Sequence, residues 1–130
     1  IVIIGSFSNL SEKKNKKKKK NKDVIILCAG WKGKFCLEDT LFAGALSEML
    51  LASAQFDTIC DSTKGAIDLW SIAKTDIMSY VDKVAQRHRL KKLGLDDVIE
   101  YCHTPDSATD IPVYQDGYIR EYQHTVKASN

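Results

Sequence analysis

Two short runs are apolar from end to end, Ile1–Ile4 (IVII) and Val24–Ala29 (VIILCA), and each closes on a glycine, Gly5 and Gly30. A strand with one wet face alternates apolar and polar residues. Unbroken, largely β-branched runs suit strands covered on both faces, as in a parallel sheet lying between helices. A parallel pair needs a crossover, usually a helix. The intervening 11–22, SEKKNKKKKKNK, has the length for one but no apolar face, and its like charges at i and i+4 repel. We read 11–22 as a lysine-rich excursion, solvated or disordered.

That tract also distorts the overall charge. The net charge is +2, yet eight of the 19 basic residues fall within 13–22, leaving 11 against 17 acidic residues elsewhere. The folded part is therefore acidic, which argues against nucleic-acid binding outside the tract. Binding through the tract itself would need no base preference and would weaken steeply with salt. No apolar run approaches the roughly 20 residues of a membrane span, so no membrane partner is expected. The four cysteines, Cys28, Cys36, Cys60 and Cys102, form no CxxC pair and have no histidine at zinc-finger spacing. Reduced thiols and the lack of an export signal lead us to expect a cytoplasmic protein. A start on an apolar run, without Met, leads us to expect a missing amino-terminal portion.

Three helices are expected after the second run. The first begins near Leu37 with Leu41, Phe42, Ala45, Met49 and Leu50 on one face. The second, capped by Asp61 or Ser62, presents Ala66, Ile67, Trp70 and Ala73. The third, capped by Thr75, carries Ile77, Tyr80, Val81, Val84 and His88 and stops at Gly94. Val98–Cys102 reads as a further strand, and Asp116-Gly117 as the turn of a hairpin between 111–114 and 118–122. Strand and helix alternate, so the fold class is α/β, mainly a parallel sheet flanked by helices. Residues 1–122 form that unit, and 123–130 a disordered tail.

The chemistry is expected in Cys28–Asp39, a strand, a glycine-bearing loop and two adjacent carboxylates opening a helix. Open α/β sheets bind ligands beyond the carboxyl ends of their strands. Parallel first and second strands would bring Ser6, Ser8 and Asn9 beside Gly30, Gly33, Glu38 and Asp39. Glycine backbone N–H groups and a helix N-terminus suit an anion, and carboxylates beside it suit Mg2+, a hard cation. The plainer reading stays open: acidic residues favour a first helical turn for the dipole alone, and the glycines serve as turn residues. Gly30–Lys34 gives G-x-x-G-K followed by Phe35, which is no Walker A loop. Lys34 stands where a cysteine phosphatase uses the arginine fork, so Cys28 is not read as a nucleophile. His88 reads as a packed residue, Arg89 as a surface residue, and Trp31 as either a ligand wall or a cover for the sheet edge. His103 and His124 have no evident partner.

The motifs IIGSFSN, DVIILCAGWKGKFCLEDTLFAGAL, LGLDDVIEYC and IPVY together resemble the carboxy-terminal half of the 2-phosphosulfolactate phosphatases. The match runs through Ala29-Gly30, Gly33, Phe35, Glu38-Asp39 and Ala43-Gly44, and in order from Ile1 to about Ile119. The resemblance implies an enzyme that hydrolyses 2-phospho-3-sulfolactate to 3-sulfolactate and phosphate with Mg2+, a step of coenzyme M biosynthesis. It makes Glu38 and Asp39 the metal and catalytic candidates. Ser6, Asn9, Gly30 and Gly33 become candidates for the phosphate or substrate pocket. The implied substrate is a small phosphorylated sulfonate or carboxylate. The implied partner is the missing amino-terminal half, with a homo-oligomer as a further possibility, and the fold is incomplete without that half. The second reading is a non-catalytic fragment or interaction remnant of such an enzyme.

Overall fold

The helix at Leu37–Leu51, α1, organises the fold because it is apolar almost all round, the pattern of a helix enclosed by its neighbours. The computed structural model describes residues 2–12 and 23–122. Within α1, Leu41, Ala43, Gly44, Ala45, Leu46 and Leu50 are buried, and Thr40 and Ser47 are buried with them. The sequence places one apolar face on this helix; the structure covers more of its circumference. Phe42 and Met49, expected on the core face, are only partly buried at its margin. Glu38 and Asp39 occupy the first turn, where the helix dipole favours them.

The second helix, α2, spans Asp61–Ala73 and crosses α1 at Gly44. A Cβ built on Gly44 would lie 2.1 Å from the Ala66 carbonyl oxygen and 2.8 Å from Trp70 Cβ. Only a residue without a side chain permits that approach. At the far end of the contact, Glu48 accepts hydrogen bonds from Trp70 Nε1 (3.0 Å) and Lys74 Nζ (2.6 Å). The N-cap of α2 is Cys60, with Asp61 its first helical residue.

The expected third helix is two. Asp76 Oδ1 accepts the Ser79 N–H at 3.0 Å and caps α3, Ile77–Val81. Thr75 instead turns its hydroxyl back to the Ile72 carbonyl, 3.0 Å away. Val84 takes an extended backbone and opens α4, Ala85–Lys92. The break brings Arg87 into ion pairs with both Asp82 and Asp96. Gly94 ends α4 as expected: it lies at φ +69, and its N–H and that of Leu95 bond the Lys91 and Leu90 carbonyls. Val98–His103 is α5, a helix and not the expected strand. The apolar run there is too short to separate the two periodicities, and Ile99 alone is buried.

The sheet corrects the expected topology. Strands β1 (Val2–Ile3), β2 (Pro112–Gln115) and β3 (Tyr118–Glu121) form an antiparallel sheet in that order, with Val2 opposite Tyr114 and Ile3 opposite Val113. No parallel pair joins the described residues. Val24–Ala29 belongs to no strand there, because an apolar run announces a need for cover without naming what supplies it. Val24 and Ile26 pack on the core, whereas Ile25 and Leu27 are 91% and 90% exposed. The Asp116-Gly117 hairpin forms as expected, with φ of +52 and +83 at the two turn residues. The lysines of 13–22 and the 123–130 tail lie outside the described residues. No helix among those described is long and apolar enough to cross a membrane.

Two predictions follow from the α1–α2 contact. Gly44→Ala should destabilise the chain by about 1–3 kcal/mol, the usual range for overpacking, in urea unfolding followed by circular dichroism. The Lys74 hydrogen bond, more than the opposing burial, holds Glu48 below its ordinary value. A lowered folded-state value stabilises above the unfolded-chain value and is lost as pH falls through the folded one. The stability gap between wild type and Glu48→Gln should therefore be open at neutral pH, at under about 1 kcal/mol for so exposed a pair. It should close on acidification through the carboxylate range.

Candidate functional site

The loop before α1 is a tight turn built for closeness. Trp31 and Lys34 exchange backbone hydrogen bonds at 3.0 Å, with Lys32 and Gly33 between them at φ +51 and +72. Positive φ at both central residues is the primed turn that glycine at the second position favours. Gly30 precedes it at φ +70, where an added Cβ would meet the Lys34 carbonyl oxygen at 2.5 Å. The Gly30 N–H donates to Asp39 Oδ2 at 2.7 Å. One carboxylate of the α1 first turn thus clasps the loop that leads into it.

Glu38 faces elsewhere. Successive residues on a helix diverge by about 100°, and Glu38 meets Arg89 of α4, Oε1 to Nη2 at 3.6 Å. It borders a small crevice with Val81, Val84, Ile99 and His103. Arg89 also lies over the Trp31 ring, 5.0 Å from its centroid, and Lys32 Nζ is 5.8 Å from the same ring. A half-exposed indole with two cations against it beside a helix N-terminus is a surface suited to an anionic ligand. Sequence reasoning left Arg89 as a surface residue and Trp31 undecided. Their contact depends on α4 folding back onto the 31–34 turn, which no local pattern encodes.

Ser6 and Asn9 come together on a turn of 3-10 helix at Phe7–Asn9. Asn9 Oδ1 accepts the Ser6 N–H at 3.2 Å, and the Ser6 and Ser8 hydroxyls are 2.6 Å apart. Asn9 is buried, and its Nδ2 donates to the Asp110 carbonyl at 3.0 Å. Phe7 carries this turn onto the helices, with ring centroids 5.6 Å from Phe42 and from Trp70 and 5.8 Å from His103. The structure therefore brings Gly30 to Asp39, and Ser6 to Asn9. His103 is a common neighbour of the Phe7 turn and the Glu38 crevice. It also has the partner the sequence did not suggest: its Nδ1 is 2.9 Å from the Ile99 carbonyl and donates to it.

The thiols sort by environment. Burial, then the adjacent Glu38 charge, pushes the Cys36 thiol up, and burial followed by Asp39 does the same to Cys28. Neither has the stabilised thiolate of a cysteine nucleophile. Cys60, at the α2 N-terminus, is lowered, first by the Thr63 backbone N–H and then by its hydroxyl. No cluster of three or more His, Cys, Asp or Glu side chains among the described residues is arranged to hold a metal.

A sequence model of the family described as 2-phosphosulpholactate phosphatase matches residues 1–117. The chain belongs to that family. A probable 2-phosphosulfolactate phosphatase of Clostridium kluyveri is 30% identical over 119 residues, covering 92% of this chain and 49% of the relative. One from Caldanaerobacter subterraneus subsp. tengcongensis is 32% identical over 122 residues, covering 94% and 50%. One from Gloeobacter violaceus reaches 35% over 89 residues, covering 68% and 36%. The chain spans about half the length, or less, of the curated relatives it matches.

Timed labelling with iodoacetamide tests the local electrostatics. Cys60 should react first and Cys36 only on unfolding; early modification of Cys36 would contradict its enclosure beside Glu38.

Proposed function

We propose that this chain supplies one half of a cytoplasmic, Mg2+-dependent phosphatase acting on 2-phospho-3-sulfolactate to give 3-sulfolactate and phosphate, a step of the coenzyme M biosynthesis type. The observation carrying this reading is the family match across 1–117. The arrangement around α1 is compatible with it. Arg89 and Lys32, held against Trp31, offer positive charge to a phosphate or sulfonate.

Asp39 spends Oδ2 on the Gly30 N–H and keeps Oδ1 outside that bond. Mg2+ is commonly held by one or two carboxylates, with substrate phosphate and water completing its shell. Asp39 is therefore the proposed metal residue. Glu38, through its ion pair with Arg89, would orient the cation that meets the substrate, and it remains the second carboxylate that could contribute to a bound Mg2+. Bound Mg2+ would neutralise phosphate charge. The chain's own residues set the loop, present the cations and keep Cys36 protonated and inert.

The half-length match favours a requirement for the other half. The test is phosphate release from 2-phospho-3-sulfolactate by the chain alone and with the half of the Clostridium kluyveri protein it does not match, with and without Mg2+. Turnover is expected only with both halves and the metal. Asp39→Asn should lower it by about 10²–10³-fold, the size of losing a main electrostatic contact, while Arg89→Met raises KM more than it lowers kcat. Unaltered turnover of Asp39→Asn would remove Asp39 from the site. Failure of every two-half mixture would leave the non-catalytic remnant as the reading.

A further inference from the structure

Among the described residues, Val24–Ala29 is an extended apolar run left without a backbone partner. No backbone hydrogen bond joins these six residues to any other described residue. Val24 and Ile26 are half-buried against the helices, while Ile25 and Leu27 point to solvent, which is a strand's alternation without a strand's neighbours. An open groove of about 1430 Å³ runs between residues 23–28 and the two central helices. Its floor includes a stripe of α1, Thr40, Ala43, Ser47 and Leu50, and Phe35 stands 73% exposed at its rim. Bare strand backbone beside exposed apolar side chains is the surface to which another strand adds.

We propose that Val24–Ala29 is the seam at which the remaining half of the family fold joins this chain, by pairing a strand to its backbone and covering Ile25 and Leu27. Two observations favour this occupant over a second copy. The relatives carry about as much chain again as this one matches, 49% and 50% of their lengths being covered. The groove also has an apolar floor from two helices beneath a run whose composition calls for cover on both faces, which asks for a packed layer and not only an edge contact. The proposal rests on family membership and on the half-enzyme reading, but its test reads association and leaves catalysis aside.

The experiment combines the 130-residue chain with the half of the Clostridium kluyveri relative that it does not match. Sedimentation gives the stoichiometry and amide hydrogen exchange gives the seam. A one-to-one complex is expected, with exchange at Val24–Ala29 slowed at least about tenfold, as for amides entering a ladder. The pair Ile25→Lys, Leu27→Lys should abolish the complex while leaving the circular dichroism and melting of the chain alone unchanged, because both side chains are already in solvent. No association, a complex that leaves these amides unprotected, or a double variant that binds normally would each overturn the proposal. So would a homodimer of the chain that protects the same amides. A complex with protected amides and no phosphatase activity would uphold the seam and count against the catalytic reading alone.

Discussion

The fold depends on how closely two helices can approach. Helix α1 is apolar nearly all round, so it must be enclosed, and among the described residues α2 packs along it at backbone distance. Gly44 makes that distance possible: its missing side chain leaves room for the Ala66 carbonyl and for Trp70. Once α2 is seated, Trp70 reaches Glu48 and offers its ring to Phe7, and Phe7 anchors the turn that holds Ser6 and Asn9. A packing constraint at one glycine thus propagates to the turn that holds Ser6 and Asn9.

The site uses the same helix in a different way. Its N-terminus carries two carboxylates that are neighbours in sequence but turn apart in space. Asp39 closes the Gly30 loop, and Glu38 fastens Arg89, which in turn covers Trp31. The cations held there belong to a chain that, outside 13–22, carries 11 basic against 17 acidic residues. Such an arrangement gathers positive charge locally without making the whole domain basic, which suits a small anion better than a polyanion.

Features governed by local chemistry were legible in the sequence. The start of α1 with its acidic first turn, the Gly94 stop and the Asp116-Gly117 turn all follow from a few adjacent residues. Features governed by distant partners were not. The apolar run at the start of the chain pairs antiparallel with β2, far along the sequence, where the pattern suggested a parallel neighbour nearby. Val98–His103 is short enough for either periodicity, and its helical state follows from how Ile99 meets the core. The Arg89–Trp31 contact arises from the fold-back of α4. The Gly30–Asp39 contact joins residues close in sequence, whereas Arg89 meets Trp31 and Glu38 from some fifty positions away.

Asn9 has one more consequence, for the order of events during synthesis. Its amide bonds the Asp110 carbonyl across 101 positions, and β1 pairs with β2 in the same region. Closing so long a loop is an entropic step that local helices cannot assist. As the polypeptide leaves the ribosome, α1 and α2 can meet early, but the first strand and the Ser6–Asn9 turn have no lodging until residues 110–114 emerge. The first strand and that turn are thus among the last described parts to be secured, and a nascent chain stalled before that point would hold its central helix pair with the Ser6–Asn9 turn still unanchored.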